Sequence, residues 1–206
     1  MISNYARIIR DNLDLIYGEG NGRLPGLEKR LPAIREQDCF LFRAFGENCR
    51  LTPGGIFLEE ETVNDPRGII VSLYARFAAD RPCVSEPWKA YKEFSGTMPY
   101  AAAFHTHTEQ ILVPHAEEVM AQKPVITADL DGGEAPGSIG GDCAFTVSPL
   151  PKIRLCYILY EADEDFPAAV TCLYSANADT FLPTDALADV GEYTSRKILT
   201  MIGRAA

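Results

Sequence analysis

The chain has 206 residues, 47% hydrophobic and 23% charged, which is a globular composition long enough for one large domain or two small ones. Its 29 acidic and 19 basic residues give a net charge of −10, which argues against nucleic acid and anionic membranes because phosphate binding needs concentrated Lys and Arg. No apolar run approaches the roughly 20 residues that span a bilayer, and charges interrupt the first 18 residues, where a secretory signal would be apolar. We therefore predict a cytoplasmic protein that inserts in no membrane.

The first predicted helix runs from Ser3 to about Tyr17. Its apolar side chains recur at three- and four-residue steps on one face, and they are Tyr5, Ile8, Ile9, Leu13 and Ile16. Ser3 can accept hydrogen bonds from the free amides of the first turn, and Gly18 can close the end. The stretch that follows, GEGNGRLPG (18–26), predicts a loop.

Apolar residues and turn signals between residues 38 and 61 predict a small antiparallel meander. Gly46 and Glu47 fit a two-residue hairpin turn with glycine first, the type in which that residue has a positive φ. Pro53 and Gly54 predict a second turn.

Asp65 and Pro66 predict the start of another helix, because an Asp side chain caps the first turn and proline needs no N–H there. The predicted buried stripe of this helix contains Ile70, Leu73, Tyr74 and Phe77. The segment after it, 82–96, fits either a short helix or a loop.

Aromatic residues are concentrated in and beside this ambiguous segment, at Trp88, Tyr91, Phe94 and Tyr100. Rings interleaved with lysines can form a stacking surface for a flat ligand such as a corrinoid or a folate-like ring. Packing in the core explains the same side chains more simply, and it is the explanation we favour.

All three histidines lie in the stretch FHTHTEQILVPH (104–115). On a strand, His105 and His107 would point to one face, as in the metal-binding H-x-H of several hydrolases, whereas on a helix residues two apart diverge by about 200°. Three alanines and helical spacing of the apolar residues predict a helix from Ala101 to Ala121, with Pro114 as a kink or a restart. The helix favours histidines that flank an apolar stripe and bind no metal.

Residues 126–142 are rich in glycine and predict a long loop, either a plain connector or a mobile flap over a pocket. Strands are predicted at about 142–149, 152–161 and 168–175, and the middle one is apolar on both faces, which is typical of a central strand. A last helix is predicted from near Thr184 to Gly203. Helices and mainly antiparallel strands around one core make the predicted fold α+β, with residues 1–206 as a single domain.

Carboxylates crowd the predicted turn between the last two strands, at Glu161, Asp163, Glu164 and Asp165. Such a group can hold a hard divalent cation, or it can raise the pKa of one member. A solvated turn is the simpler explanation, because water screens like charges.

The six cysteines contain no C-x-x-C pair, which favours buried, reduced thiols over a disulfide framework, a zinc site or an iron–sulfur cluster.

Three stretches in order carry a resemblance to a known family: FLFRAFGENCRLTP, SLYARFAADRPCVSEPWKAYKEFSGTMPYAAAFHTHTEQIL and GDCAFTVSPLPKIRLCYILYEADEDFPAAVTCLYSANADTFLPTDALADVG. From about residue 38 to 195 the chain resembles the family of domain of unknown function 3786, found in anaerobic bacteria and archaea. Its specific parts are the spacing of Tyr100, Phe104 and Leu112 and the run 150–167.

Some members of that family are fused to a cysteine-rich iron–sulfur domain, and some occur with corrinoid and one-carbon methyl-transfer systems. This chain lacks the cysteine cluster. The resemblance therefore implies an accessory protein of anaerobic metabolism with a separate iron–sulfur or corrinoid protein as its partner, and it implies no established activity.

These observations predict a non-catalytic accessory or ligand-binding protein that carries no cofactor of its own. The candidates for contact with a corrinoid or similar ring are Trp88, Tyr91, Tyr100 and His105. The alternative is a metal-dependent, hydrolase-like enzyme that binds a divalent metal through His105, His107, Asp163 and Asp165. A homo-oligomer joined through apolar faces is a third hypothesis.

Overall fold

A computed structural model describes residues 3–18 and 24–204, so residues 19–23 of the predicted loop 18–26 lie outside the described part. The helices are α1 (Asn4–Tyr17), α2 (Leu27–Arg30), α3 (Pro66–Phe77), α4 (Ala101–Phe104), α5 (Ala116–Asp129) and α6 (Thr184–Met201). The strands are β1 (Ile34–Glu36), β2 (Cys39–Ala44), β3 (Glu47–Thr52), β4 (Gly55–Leu58), β5 (Glu61–Thr62), β6 (Lys89–Ala90), β7 (Gly133–Glu134), β8 (Cys143–Leu150), β9 (Ile153–Tyr160) and β10 (Ala169–Tyr174). The predicted α+β class with antiparallel pairing is confirmed. None of the described helices is long and apolar enough to cross a bilayer.

In the described part of the chain, the strands form two antiparallel sheets of five strands each. The first runs β1-β2-β3-β4-β5 in chain order, and the second runs β6-β10-β9-β8-β7. The strand β9 lies in the middle of the second sheet, as its two apolar faces predicted, and only Arg154 and Tyr160 are exposed along it. One continuous cluster of buried hydrophobic side chains includes residues of both sheets and of α1, α3, α5 and α6.

The hairpin between β2 and β3 differs from its prediction by one residue. Ala44 pairs with Glu47, so the turn consists of Phe45 and Gly46, which have φ values of 53° and 77°. Two positive φ values are the type I′ pattern, in which an aromatic residue is unusual. Phe45 is 2% exposed and its N–H donates to the carbonyl of Pro149 at 2.7 Å, so contacts with β8 outweigh the local preference.

The predicted helix starts at Ser3 and Asp65 are confirmed by their caps. The hydroxyl of Ser3 accepts from the N–H of Ala6 at 3.1 Å, and the carboxylate of Asp65 accepts from the N–H of Arg67 at 2.8 Å. Each predicted stripe is buried in part. On α1 the buried members are Ile9, Leu13 and Ile16, and Tyr5 is exposed; on α3 they are Ile70 and Tyr74, and Phe77 is exposed.

The predicted helix over 101–121 is helical but not one regular helix. The α-helical turn α4 passes into a π-helical turn over His105–Gln110, and a 3₁₀ turn over Val113–His115 restarts the chain at Pro114. The helix α5 then continues through Pro124 to Asp129, so the prediction of a loop from residue 126 was wrong. Ile126 and Leu130 are completely buried, and this burial holds the helix past its proline.

Candidate functional site

Tyr91 lies in a 3₁₀ turn directly after β6 and belongs to the core. It is 2% exposed, and its hydroxyl donates to the carbonyl of Thr184 at 2.8 Å. Its ring stacks on Phe104 with centroids 4.5 Å apart and 19° between the planes. Burial raises the pKa of the Tyr91 phenol. Because the Tyr91 ring is buried and stacked on Phe104, neither of its faces is available to a stacking ligand unless this packing is broken.

The other aromatic candidates are placed in different surroundings. Phe94 is 4% exposed and meets Tyr174 edge to face, with centroids 5.9 Å apart. Trp88 is half-buried, and its indole N–H has no hydrogen-bond partner among the described residues. Tyr100 is 42% exposed. The structure therefore does not bring these rings together into one exposed stacking surface, and Tyr100 alone among the four presents much of its ring to solvent.

His105 lies in the π-helical turn and is held by its neighbours on that turn. Its Nδ1 atom is 2.6 Å from Oε2 of Glu109, and its Nε2 atom is 3.2 Å from the side-chain nitrogen of Gln110. The other oxygen of Glu109 accepts from the backbone N–H of Cys172 on β10 at 2.9 Å. A hydrogen-bonded chain therefore runs from the second sheet through Glu109 to His105.

The partners of His105 define which nitrogen carries the proton. The Glu109 carboxylate is an acceptor, so Nδ1 donates to it; in the neutral ring Nε2 is then the acceptor, and the Gln110 amide donates to it. A carboxylate behind one ring nitrogen holds the imidazole in one orientation. His105 therefore presents an oriented acceptor at Nε2, on a side chain that is 56% exposed.

A cavity of about 340 Å³ lies beside this imidazole. Its walls come from the turn after β6, from α4 and the π-helical turn, and from β10, and its lining includes Tyr91, Lys92, His105, Glu109 and Thr171. The strand β6 pairs only with Leu173 and Tyr174 of β10. The cavity therefore follows the edge of β10 beyond the end of β6. There the Glu109 carboxylate, and not a neighbouring strand, accepts the hydrogen bond from the backbone N–H of Cys172.

A second cavity, of about 300 Å³, lies on the other side of Phe104. Tyr100 contributes one wall, and α6 contributes Asp185, Asp189 and Glu192. Burial raises the pKa of Asp189 to about 6, and the charges of Glu192 and Asp185 act in the same direction. Asp189 therefore ionises at a higher pH than an ordinary aspartate.

The residues named for a metal-dependent enzyme are not assembled. The imidazole of His107 is exposed and makes no hydrogen bond or ion pair within residues 3–18 and 24–204. Asp163 accepts from the N–H groups of Asp165 and Phe166 at 2.8 and 2.7 Å, so its carboxylate closes its own turn. Across the described residues, no three His, Cys, Asp or Glu side chains are placed to hold one ion.

All six cysteines lie within the described residues and are free thiols. Cys49, Cys156 and Cys172 are buried, as predicted for small apolar core residues, and the other three are half-buried. Burial raises the pKa of Cys156 to about 11, so this thiol is not activated as a nucleophile.

A family model described as "Domain of unknown function (DUF3786)" matches residues 24–197. The chain belongs to this family. A search of curated proteins and a search of solved structures each found no match. The DUF3786 match includes both cavities beside Phe104 and leaves out α1, whose Leu13 and Ile16 are nevertheless buried in the common core.

Sequence reasoning on this DUF3786 chain missed two residues that shape the cavities. Glu109 follows His105 by four positions, a spacing that places two side chains together on a helix and could have revealed the pair. Asp189 lies between Asp185 and Glu192 at helical spacing, but Tyr100, which lines the same cavity, comes from a distant part of the chain. No local pattern reports that contact.

Proposed function

We propose that the chain is a non-catalytic accessory protein that binds a partner protein through the cavity beside His105. From the family resemblance, we expect the partner to be an iron–sulfur or corrinoid protein of one-carbon metabolism. The observation that carries the proposal is the hydrogen-bonded chain from Cys172 through Glu109 to His105. It fixes an exposed imidazole acceptor in one orientation at the wall of a cavity, as a recognition residue requires.

The partner would contact His105 through a hydrogen-bond donor that replaces the Gln110 amide at Nε2. Gln110 is exposed and belongs to the same turn, so it can move aside without disturbing the core. Glu109 is 14% exposed as a side chain and is anchored to β10, so it stays in place behind the ring. Binding would therefore cost little reorganisation, because the imidazole is already oriented.

The size of the cavity favours a side chain of a partner over a whole cofactor ring. About 340 Å³ is at the lower end of the roughly 300–1,000 Å³ that small-molecule sites occupy. The aromatic rings at its wall, Tyr91 and Phe104, stack on each other. A corrinoid would thus stay with the partner protein, and this chain would contact the protein part of the complex.

A metal-dependent hydrolase remains the second candidate, and it is the weaker one. Hydrolytic metal sites use about three protein ligands on one ion. Among the described residues no such group exists, and Asp163 is engaged in its own turn. Elemental analysis of protein purified without chelator separates the two candidates: stoichiometric transition metal would favour the enzyme.

The partner proposal is tested by affinity capture from an anaerobic lysate of cells with corrinoid methyl-transfer systems. Tagged wild-type chain, His105→Ala, Glu109→Gln and the control His107→Ala are used as baits, and cobalt, iron and acid-labile sulfide are measured in each eluate. His107 is a matched control because it is an exposed histidine on the same turn without a described partner.

We expect wild type and His107→Ala to retain a cobalt- or iron–sulfur-containing protein, and His105→Ala to retain roughly tenfold less, as for loss of one central interface contact. The amount of partner protein that Glu109→Gln retains should lie between the amounts retained by wild type and by His105→Ala. Eluates without cobalt or iron–sulfur protein, or equal retention by His105→Ala and wild type, would contradict the proposal.

A further inference from the structure

A cavity of about 650 Å³ lies between α1 and the edge of the first sheet, and it is larger than either cavity beside Phe104. Its walls are the first three turns of α1, the turn that leads into β4, and the segment 62–64 at the end of β5. Its volume is within the range of sites that enclose small organic ligands. It shares no lining residue with the cavities beside Phe104.

The floor of this cavity is apolar. Ile9, Leu13, Ile56 and Val63 line it, and each is 4% exposed or less. They come from α1, from β4 and from the chain after β5, and α1 also packs on α3 through the hydrogen bond between Asn12 and Ser72 at 2.8 Å. The floor is therefore a fixed part of the fold, able to contact an apolar chain or ring.

The charged side chains among the described lining residues are Arg7 and Arg10, and neither Asp nor Glu is present there. This composition is unusual in a chain with 29 acidic and 19 basic residues. Neither guanidinium forms an ion pair with a carboxylate that the structure describes; Arg7 donates to the side-chain oxygen of Asn4 at 2.9 Å, and Arg10 donates to the carbonyls of Pro53 and Gly54 at 3.3 and 3.5 Å.

These bonds leave most of the donors of both guanidinium groups unused, since each group has five N–H donors. Within residues 3–18 and 24–204 no carboxylate forms an ion pair with either group, and α1 has no acidic residue in its first turn, so the positive end of its dipole adds to their charge. Arg7 and Arg10 form a positively charged rim at this cavity, and a single anionic group complements it. A carboxylate matches the forked hydrogen-bond donors of a guanidinium.

We propose that the cavity between α1 and β4 binds a small carboxylate with an apolar tail. The carboxylate meets Arg7 and Arg10 at the rim, and the tail lies on the floor formed by Ile9, Leu13, Ile56 and Val63. This site is independent of the proposed docking of a partner at His105, because the two cavities lie on different elements.

The test is isothermal titration calorimetry of the full chain with octanoate and three comparison probes. Acetate has the charge without the tail, octanol has the tail without the charge, and octylamine has the opposite charge. We expect octanoate to bind at least tenfold more tightly than each of the other three. Because the burial of each additional methylene strengthens binding, hexanoate should bind more weakly than octanoate.

Two variants locate the binding. Arg7→Gln removes a charge whose side chain, among the residues that the structure describes, is hydrogen-bonded only to Asn4 on the same helix. We expect octanoate affinity to fall about fivefold to tenfold. Ala6→Phe places a ring in the cavity and should abolish binding. Arg81→Gln, an exposed arginine outside the cavity, is the matched control and should bind as wild type does.

Three results would overturn the proposal: no measurable binding of octanoate, equal binding of octanoate and octanol, or unchanged affinity in Arg7→Gln. Circular dichroism of each variant verifies its fold. Should Ala6→Phe fail to fold, Arg7→Gln together with the probe series still decides the matter.

Discussion

The rings of Tyr91 and Phe104 stack with their centroids 4.5 Å apart, and Tyr174 on β10 lies 6.2 Å and 5.8 Å from them. This cluster joins the turn after β6, the helix α4 and the second sheet. It also separates the cavity beside His105 from the cavity beside Asp189, since Phe104 lines both. The shape of the candidate site is therefore set by aromatic packing in the core.

Replacement of Tyr91 should distinguish packing from hydrogen bonding in this cluster. Tyr91→Ala removes the stacked ring, and we expect it to lower the free energy of unfolding by about 3–5 kcal/mol. Tyr91→Phe keeps the ring and loses only the bond to Thr184, so it should cost about 1 kcal/mol. Urea unfolding followed by circular dichroism measures both. A similar loss in the two variants would contradict the assignment of Tyr91 to the packed core.

Gly191 on α6 marks the closest approach of that helix to the aromatic cluster. A Cβ atom there would lie 2.6 Å from the Phe104 ring, 2.7 Å from the Tyr174 hydroxyl and 3.0 Å from Thr108. Glycine to alanine inside a helix normally stabilises, by about 0.5–1 kcal/mol. We expect Gly191→Ala to destabilise instead, by about 1–3 kcal/mol, because the site is overpacked.

The control for this variant is Gly137→Ala, where an added Cβ meets nothing within 4 Å. Its effect on the midpoint of thermal unfolding should be small, corresponding to about 0.5 kcal/mol or less in either direction. A destabilised Gly137→Ala beside a neutral Gly191→Ala would contradict the packing described for α6.

The helix α1 lies outside the family match but should be essential to the fold. Leu13 is 1% exposed, whereas Leu15 on the same helix is 42% exposed. Leu13→Ala should therefore lower the free energy of unfolding by about 2–5 kcal/mol, and Leu15→Ala by about 0.5 kcal/mol. Denaturant unfolding measures both. Equal effects would mean that α1 is not docked on the core as described.

Asp189 should make stability depend on pH. Its pKa is raised from 3.8 to about 6 in the folded chain, so between about pH 4 and pH 6 the folded state keeps a proton that the unfolded state has released. The wild type therefore loses stability as pH rises through this window. Asp189→Asn cannot ionise and should be more stable than wild type above pH 6, by about 1 kcal/mol after allowance for solvent screening.

The difference between Asp189→Asn and wild type should vanish near pH 4, where both side chains are neutral in the folded chain. Asp185 and Glu192 from α6 face Asp189, and the Tyr100 wall lies opposite. Thermal unfolding from pH 4 to pH 8 measures the difference. Asp11→Asn, at an exposed position on α1, is the matched control for the removal of one aspartate carboxylate. A constant difference across this range for Asp189→Asn would refute the raised pKa.

Much of the fold could be predicted because its causes are local. The caps at Ser3 and Asp65 act on amides two or three residues away, and the strands β8, β9 and β10 end within about two residues of their predicted bounds. The family resemblance predicted from residue 38 to 195 agrees with the match over 24–197. The candidate site was predictable only in part: the sequence analysis names His105 as a candidate, but it does not name Glu109, the partner of His105 in the structure.

The sequence by itself determined the α+β class, the central position of β9 and the helical path around the histidines, because periodicity and capping depend on neighbouring residues. Only the tertiary structure decided that Phe45 would occupy a turn with positive φ, that α5 would pass Pro124, and that Tyr91 would stack on Phe104. Each of these outcomes is fixed by contacts with residues far away in the chain, such as Pro149 and Phe104. Burial against distant partners contributes several kcal/mol, whereas local conformational preferences amount to about 1 kcal/mol per residue. Burial therefore overrides them, and these features could not be predicted from the sequence.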